Sequence, residues 1–216
     1  MIPVNLVLLT GPSAAGKTFL QRQLTANAIS CLDNDQEVMT RFFDLLPKAE
    51  GDKYRAHIGN EAVWRPARSL VDYDRIVRLH HRDWYLRNEC PKNFVAVGWM
   101  YSRRDHRHQV NEAFRRVPNI SLNTKIVRLI PDENVFVERY IERQDKAQAE
   151  AWNLIVAKGK SACIEHAKEM LRNYLAVDWQ APTDDTTFED VKALDDALVI
   201  IQQHFGSVPV GQAVPE

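Results

Sequence analysis

The stretch LLTGPSAAGKTFL, residues 8–20, decides how the rest of the chain is read. It contains the pattern G-x-x-x-x-G-K-[ST], met by Gly11, Gly16, Lys17 and Thr18. Before it runs VNLVLL (4–9), an all-apolar segment of the kind a buried parallel strand needs. After it runs KTFLQRQLTANA (17–28), with Phe19, Leu20, Gln23 and Leu24 spaced as one face of a helix. Strand, glycine loop and helix therefore follow in the order that phosphate binding requires. Gly11 and Gly16 permit a loop, through Ser13, Ala14 and Ala15, whose successive N–H groups surround a phosphate. The following helix N-terminus adds partial positive charge. Lys17 is expected to reach the β- and γ-phosphates of a nucleoside triphosphate, and the Thr18 hydroxyl to ligate Mg²⁺.

Outward from this loop, strands alternate with helices, which predicts a parallel sheet covered on both faces. AISCLDND (28–35) reads as a second strand, NFVAVGWM (93–100) as a third, TKIVRLI (124–130) as a fourth and YLAVDW (174–179) as a fifth. QEVMTRFFDLL (36–46) predicts a helix stopped by Pro47. The tract after residue 58 is largely helical with a break near Pro66, and Val63, Leu70, Ile76, Leu79 and Tyr85 supply its buried face. A long helical tract from residue 132 divides around Lys158–Gly159, and 186–205 reads as a closing helix with Thr187 as N-cap. Residues 206–216 read as a loose tail.

The 216 residues suit one compact domain, placed at 1–205. A hydrophobic share of 45% with 26% charged residues is that of a soluble globular chain. No apolar run approaches the roughly 20 residues of a membrane helix. The apolar start lacks a basic leader and is taken up by the phosphate loop, so no secretory signal is expected. Cys31, Cys90 and Cys163 are few and widely separated, which fits a reducing cytoplasm better than a disulfide framework. The net charge of −1 is unevenly spread, with residues 1–52 at −2, 53–116 at +7 and 117–216 at −6. A basic middle on a near-neutral chain suggests a region facing an anionic partner.

The stretch CLDNDQ (31–36) turns a nucleotide site into a candidate reaction. Strand ends on the loop side of a parallel sheet form the ligand crevice, which brings Asp33 and Asp35 near the γ-phosphate. One carboxylate there can accept a hydroxyl proton while the other positions Mg²⁺ through water. Capping of the strand-to-helix turn is the competing structural use of either. Arg139 and Arg143, spaced i, i+4, can clamp the transferring phosphate from one helix face, although Glu138 and Glu142 are equally placed to neutralise such cations.

GPSAAGKT followed by LDNDQ resembles the P-loop kinases that include phage polynucleotide 5′-kinases, zeta toxins and gluconate-type kinases. The resemblance continues through FVAVGWMYSRRDHR (94–107) and RLIPDENVFVERYIERQ (128–144), covering roughly residues 4 to 145. It implies a P-loop NTPase-type α/β fold of about five strands, ATP and Mg²⁺ as cosubstrate and cofactor, and Asp35 as general base. It also implies a lid, expected at 131–160, that brings Arg139 and Arg143 onto ATP. One departure stands at the third strand's end, where related kinases often carry an acidic residue and this chain has Gly98 and Trp99. Metal positioning then falls to Thr18, Asp33 and water, and Gly98 suggests close approach of a ligand or chain.

The acceptor is sought in a helical region at 53–92 and in YSRRDHRH (101–108). Arg65, Arg68, Arg75, Arg78, Arg82, Arg87, Arg103, Arg104 and Arg107 are interleaved there with Trp64, Tyr73, Trp84, Tyr85, Trp99 and Tyr101. Guanidinium groups suit phosphate oxygens and aromatic rings suit nucleobases. Arg78, Arg82, Trp99, Arg103, Arg104 and Arg107 are thus the candidate acceptor residues, for a hydroxyl of a nucleic acid or nucleotide. A small-molecule or nucleotide-sugar kinase and a nucleotide-binding switch are the alternatives. His80, His81, His106 and His108 do not form a convincing metal-ligand set.

Overall fold

The structure, a computed structural model, describes residues 1–55, 65–147, 150–176 and 187–206. Its frame is a sheet of five parallel strands: β1 (Ile2–Thr10), β2 (Ser30–Asp33), β3 (Asn93–Val97), β4 (Ile120–Leu129) and β5 (Thr187–Val191). They lie in the order β2-β3-β1-β4-β5. β1 alternates its side chains between two cores, as a strand buried on both faces must. Val4, Leu6 and Leu8 enter one core, and Val7 and Leu9 enter the other. The first core is closed by α2 (Met39–Asp44), α3 (Lys48–Arg55), α4 (Tyr73–Arg87) and α5 (Arg104–Arg115). The second is closed by α1 (Lys17–Ala26) and α9 (Leu194–Phe205).

A third, smaller core lies in α6 (Glu133–Ala147), α7 (Glu150–Val156) and α8 (Lys160–Leu175). Phe136, Tyr140, Trp152, Ala167 and Leu171 fill it, and Ala14 of the phosphate loop packs against its edge. The division near Lys158–Gly159 is a chain turn: Gly159 has φ +96° with open space around it, so backbone conformation rather than packing selects glycine.

Three expectations change. The run YLAVDW does not begin a strand: Tyr174 and Leu175 end α8, and 177–179 lie outside the described residues. Cys163, Ala167, Leu171 and Tyr174 are buried at helical spacing, and a short apolar run cannot by itself distinguish the two states. The fifth strand is instead Thr187–Val191, an edge strand joined to β4 by Lys125–Glu189 at 3.0 Å and by Arg128–Asp190. Thr187 therefore opens a strand, and the closing helix begins at Leu194, capped by Ala193. Phe19 and Leu70 are more than half exposed. In α1 the buried stripe is Leu20 and Leu24, one turn apart, and Phe19 lies off it. Leu70 precedes α4, whose N-cap is Asp72, and so falls outside the helical face carried by Ile76 and Tyr85. Val63, Trp64, and residues 207–216 of the expected tail lie outside the described residues.

Candidate active site

The register of the sheet aligns three strand ends. Leu9 pairs with Val97, and Asp33 pairs with the same Val97 from the other side. β3 thus separates β2 from β1, and the segments leaving all three strands meet at one edge. Beyond β1 the loop turns at Gly11, where a side chain would meet the Leu129 carbonyl at 2.7 Å. It enters α1 at Gly16, with φ +102° and only 2.9 Å to Leu194 for any Cβ. Space thus requires the first motif glycine, where the neighbour is backbone, and the left-handed conformation requires the second, whose neighbour is the movable tip of Leu194.

Lys17 folds back over this loop and donates to the carbonyls of Gly11 at 2.7 Å and Pro12 at 2.9 Å. Its ammonium is enclosed, and burial pulls its pKa down to about 8, opposed by the charge of Asp35. Arg143 and Asp33 act on the same ammonium. Three other charged groups foreseen from sequence, at the β2 end and on α6, therefore lie near enough to act on the charge of the α1 lysine. Arg139 lies one turn before Arg143 on α6, and both are exposed. Glu142 pairs with Lys146 at 2.6 Å.

The two aspartates have different surroundings. Asp33 Oδ1 accepts the Gln36 N–H at 3.0 Å, capping a π-helical turn over Asn34–Val38. Asp35 is enclosed: its Oδ2 accepts the Trp99 N–H at 3.3 Å and its Oδ1 the Asn34 side-chain amide at 3.4 Å. Burial raises its pKa, while the Lys17 ammonium and the Trp99 N–H work in the opposite direction. Gly98 shows what its missing side chain is for. A Cβ there would stand 2.8 Å from Asn34 Cβ and 3.1 Å from Asp35 Oδ1. The close approach suggested by this glycine is that of the β2 end.

The donor set fits magnesium. Thr18, exposed in the first turn of α1, and Asp33, one of whose carboxylate oxygens accepts the Gln36 N–H, offer hard oxygen ligands in small number. Mg²⁺ commonly keeps waters and phosphate oxygens as its other ligands. No group of three or more His, Cys, Asp or Glu able to hold a metal occurs among the described residues.

The basic middle is largely engaged within the protein. Arg103 forks onto Asp105 at 3.0 and 3.1 Å. Arg68 reaches Asp74 at 3.3 Å and Asp105 at 3.4 Å while lying over the Tyr73 ring. The guanidinium groups hold the Asp105 pKa down at about 2 against its partial burial. Arg78 donates to Gln109, and Arg82 pairs with Asp83 at 3.1 Å. Arg107 is fully buried, donating to the carbonyls of Tyr101 and Ser102 at 3.0 and 2.7 Å, so it anchors the turn after β3. Tyr101 is also buried, bonded to His81 Nε2 at 2.8 Å. Trp99 is half-buried against the first core, and Arg104 is exposed in the first turn of α5. Asn34 and His106 lie within LDNDQ and YSRRDHRH, where the sequence assigns them no role; Asn34 contacts Asp35 at 3.4 Å and His106 at 3.0 Å.

No family model matches the chain, and no curated protein matches it in sequence. Solved structures do match. A candidate kinase from Chloroflexus aurantiacus J-10-fl superimposes with TM-score 0.51 at 15% identity, covering 94% of this chain and 99% of that one. A gluconokinase from Sinorhizobium meliloti 1021 matches with TM-score 0.45 at 15% identity, over 94% and 91% of the two chains. A shikimate kinase from Acinetobacter baumannii in complex with shikimate matches with TM-score 0.45 at 16% identity, over 96% of each. The chain has the α/β fold of the P-loop kinases, a parallel five-stranded sheet with helices on both faces. Among the described residues no helix is long and apolar enough to cross a membrane.

Proposed function

We propose that the protein is an ATP-dependent kinase that transfers the γ-phosphate to an alcohol hydroxyl, with Asp35 as general base. The observation that carries this reading is that the Lys17 ammonium, held on the carbonyls of the glycine loop, and the enclosed Asp35 carboxylate act on each other's charge, with Arg143 acting on the same ammonium. A nucleotide-binding switch shares the loop, the lysine and one carboxylate for Mg²⁺, so it is the second carboxylate, Asp35 beside Asp33, that favours transfer to a hydroxyl. In the transfer, a bond forms from the acceptor oxygen to the γ-phosphorus while the bond to the β,γ-bridging oxygen breaks. ADP leaves with that electron pair, and the hydroxyl proton passes to Asp35. Lys17 leaves the Gly11 and Pro12 carbonyls for the phosphates, and Arg143, with Arg139 behind it, meets charge spread over the transferring group. Mg²⁺ held by Thr18 and, through water, Asp33 supplies charge neutralisation between the phosphates when bound.

For the acceptor, the internal pairing of Arg68, Arg82 and Arg103 and the burial of Arg107 favour a small hydroxylated molecule, a nucleotide among them, over a nucleic acid. A polyanion needs cations that can exchange counterions for its phosphates. The test is transfer from [γ-³²P]ATP across sugars, nucleosides, nucleotides, DNA and RNA. Labelling of small hydroxylated compounds is expected. Labelling confined to DNA or RNA ends, weakening steeply with salt, would restore the nucleic-acid acceptor. Phosphate release indifferent to every acceptor and to Asp35→Asn would favour the switch.

A further inference from the structure

The first core contains a line of polar side chains among aromatic rings, running from the start of α4 to the proposed base. Asn34 is wholly buried, with Oδ1 3.0 Å from His106 Nε2 and Nδ2 3.4 Å from Asp35 Oδ1. His106, 1% exposed on α5, sets its other nitrogen, Nδ1, 3.3 Å from the Tyr73 hydroxyl. We propose that Tyr73, His106 and Asn34 form a directional hydrogen-bond chain that holds the Asp35 carboxylate in the orientation from which it takes the acceptor's proton. The proposal rests on the reading of Asp35 as base.

Direction follows from donor and acceptor inventory. An ionised carboxylate only accepts, so the Asn34 amide must turn its NH₂ toward Asp35 and its oxygen toward His106. That oxygen needs a donor, which requires a proton on His106 Nε2. A neutral imidazole then has only an acceptor at Nδ1, 3.3 Å from the Tyr73 hydroxyl, whose proton has Met39 Sδ at 3.6 Å as its weaker alternative acceptor. Flipping the amide would set oxygen against oxygen at Asp35 and lose that bond. The charged and titratable groups around His106 leave it neutral: burial dominates, with His81, Arg68 and Arg103 acting against its protonation and Asp105 for it. His81 cannot substitute in the chain, because Nδ1 faces the Val77 carbonyl at 2.8 Å and Nε2 the Tyr101 hydroxyl at 2.8 Å. Packing alone does not account for these polar groups, since apolar residues of like volume fill a core without desolvation cost. Gly98 adds the steric half of the device by giving Asn34 its place.

The test has two parts, using the whole protein. Long-range ¹H–¹⁵N correlation spectra of the wild type at pH 7 are expected to show neutral His106 with its proton on Nε2. A proton on Nδ1 would overturn the chain. Then His106→Leu and His106→Gln are compared in single-turnover hydrolysis of Mg-ATP, with water as the probe nucleophile. The leucine variant removes the donor and is expected to slow the step about ten- to a hundredfold, as for a base displaced by a fraction of an ångström to about one ångström. The glutamine variant, whose NH₂ can replace Nε2–H, is expected to recover most of that rate, with ATP affinity unchanged in both. Equal rates for the two variants, both folded, would reduce the chain to core packing and overturn the inference. The base reading fails separately, if Asp35→Asn keeps the wild-type rate.

Discussion

Gly98→Ala isolates the relation between the third strand's end and the proposed base. Gly98 has φ 171° and ψ 151°, an extended conformation open to alanine, so the substitution acts through volume alone. The added methyl would meet Asn34 Cβ at 2.8 Å, Asp35 Oδ1 at 3.1 Å and Asn34 Nδ2 at 3.2 Å. Ordinary carbon–carbon contact begins near 3.5 Å, so the β2 end must retreat by about 0.7 Å. Its neighbour is a Cβ rooted in backbone rather than the tip of a flexible chain, so the backbone itself must move. Overpacking of this kind costs about 1–3 kcal/mol, which for a chain of this length lowers Tm by roughly 2–12 °C. A base carried back by that distance slows transfer about ten- to a hundredfold. Thermal unfolding, ATP titration calorimetry and single-turnover transfer read the three quantities, and ATP affinity is expected to hold. An alanine variant that melts and transfers like wild type refutes the close packing of Asn34–Asp35 on Gly98. One that loses stability while keeping its transfer rate refutes the role given to Asp35.

Three further outcomes are expected. Lys17→Ala removes the cation that moves from the loop carbonyls to the phosphates, so transfer falls by orders of magnitude with the fold intact; activity within twofold of wild type would dismiss the phosphate-loop reading. Asp35→Asn keeps ATP binding and lowers transfer roughly 10²- to 10⁴-fold, whereas Asp33→Asn raises the Mg²⁺ requirement, and the opposite pattern in a magnesium titration exchanges the two roles. His81 is buried neutral with its pKa lowered from 6.5 to about 4, so the unfolded chain takes up its proton first as pH falls. Its contribution is complete above pH 6.5 and declines toward pH 4, with about 2 kcal/mol lost by pH 5. Urea unfolding at pH 7 and pH 5 is expected to show a smaller difference for His81→Gln than for wild type, and an equal difference would place the proton uptake elsewhere.

The sequence by itself determined the strand, glycine loop and helix at residues 2–26, because that unit is local. Its glycines, lysine and threonine act within eight consecutive residues, and the flanking strand and helix carry their own periodicities. Alternation of strands and helices likewise determined the parallel sheet. Tertiary structure decided what depends on partners far along the chain. Tyr174 and Leu175 fall in a helix, with the Tyr174 hydroxyl meeting that of Thr10, 164 residues away, and the edge strand is joined to β4 by ion pairs as well as by its backbone. The nine arginines of the middle region looked alike as sequence. Folding set Arg68 and Arg103 on a shared aspartate and buried Arg107 on two carbonyls, because burial and pairing are properties of neighbours in space. Asn34 lies inside the LDNDQ motif, where only the two aspartates had a role. Its place between Asp35 and His106, residues separated by 71 positions, exists only once β2 and α5 pack together, and a buried amide must then satisfy both its ends.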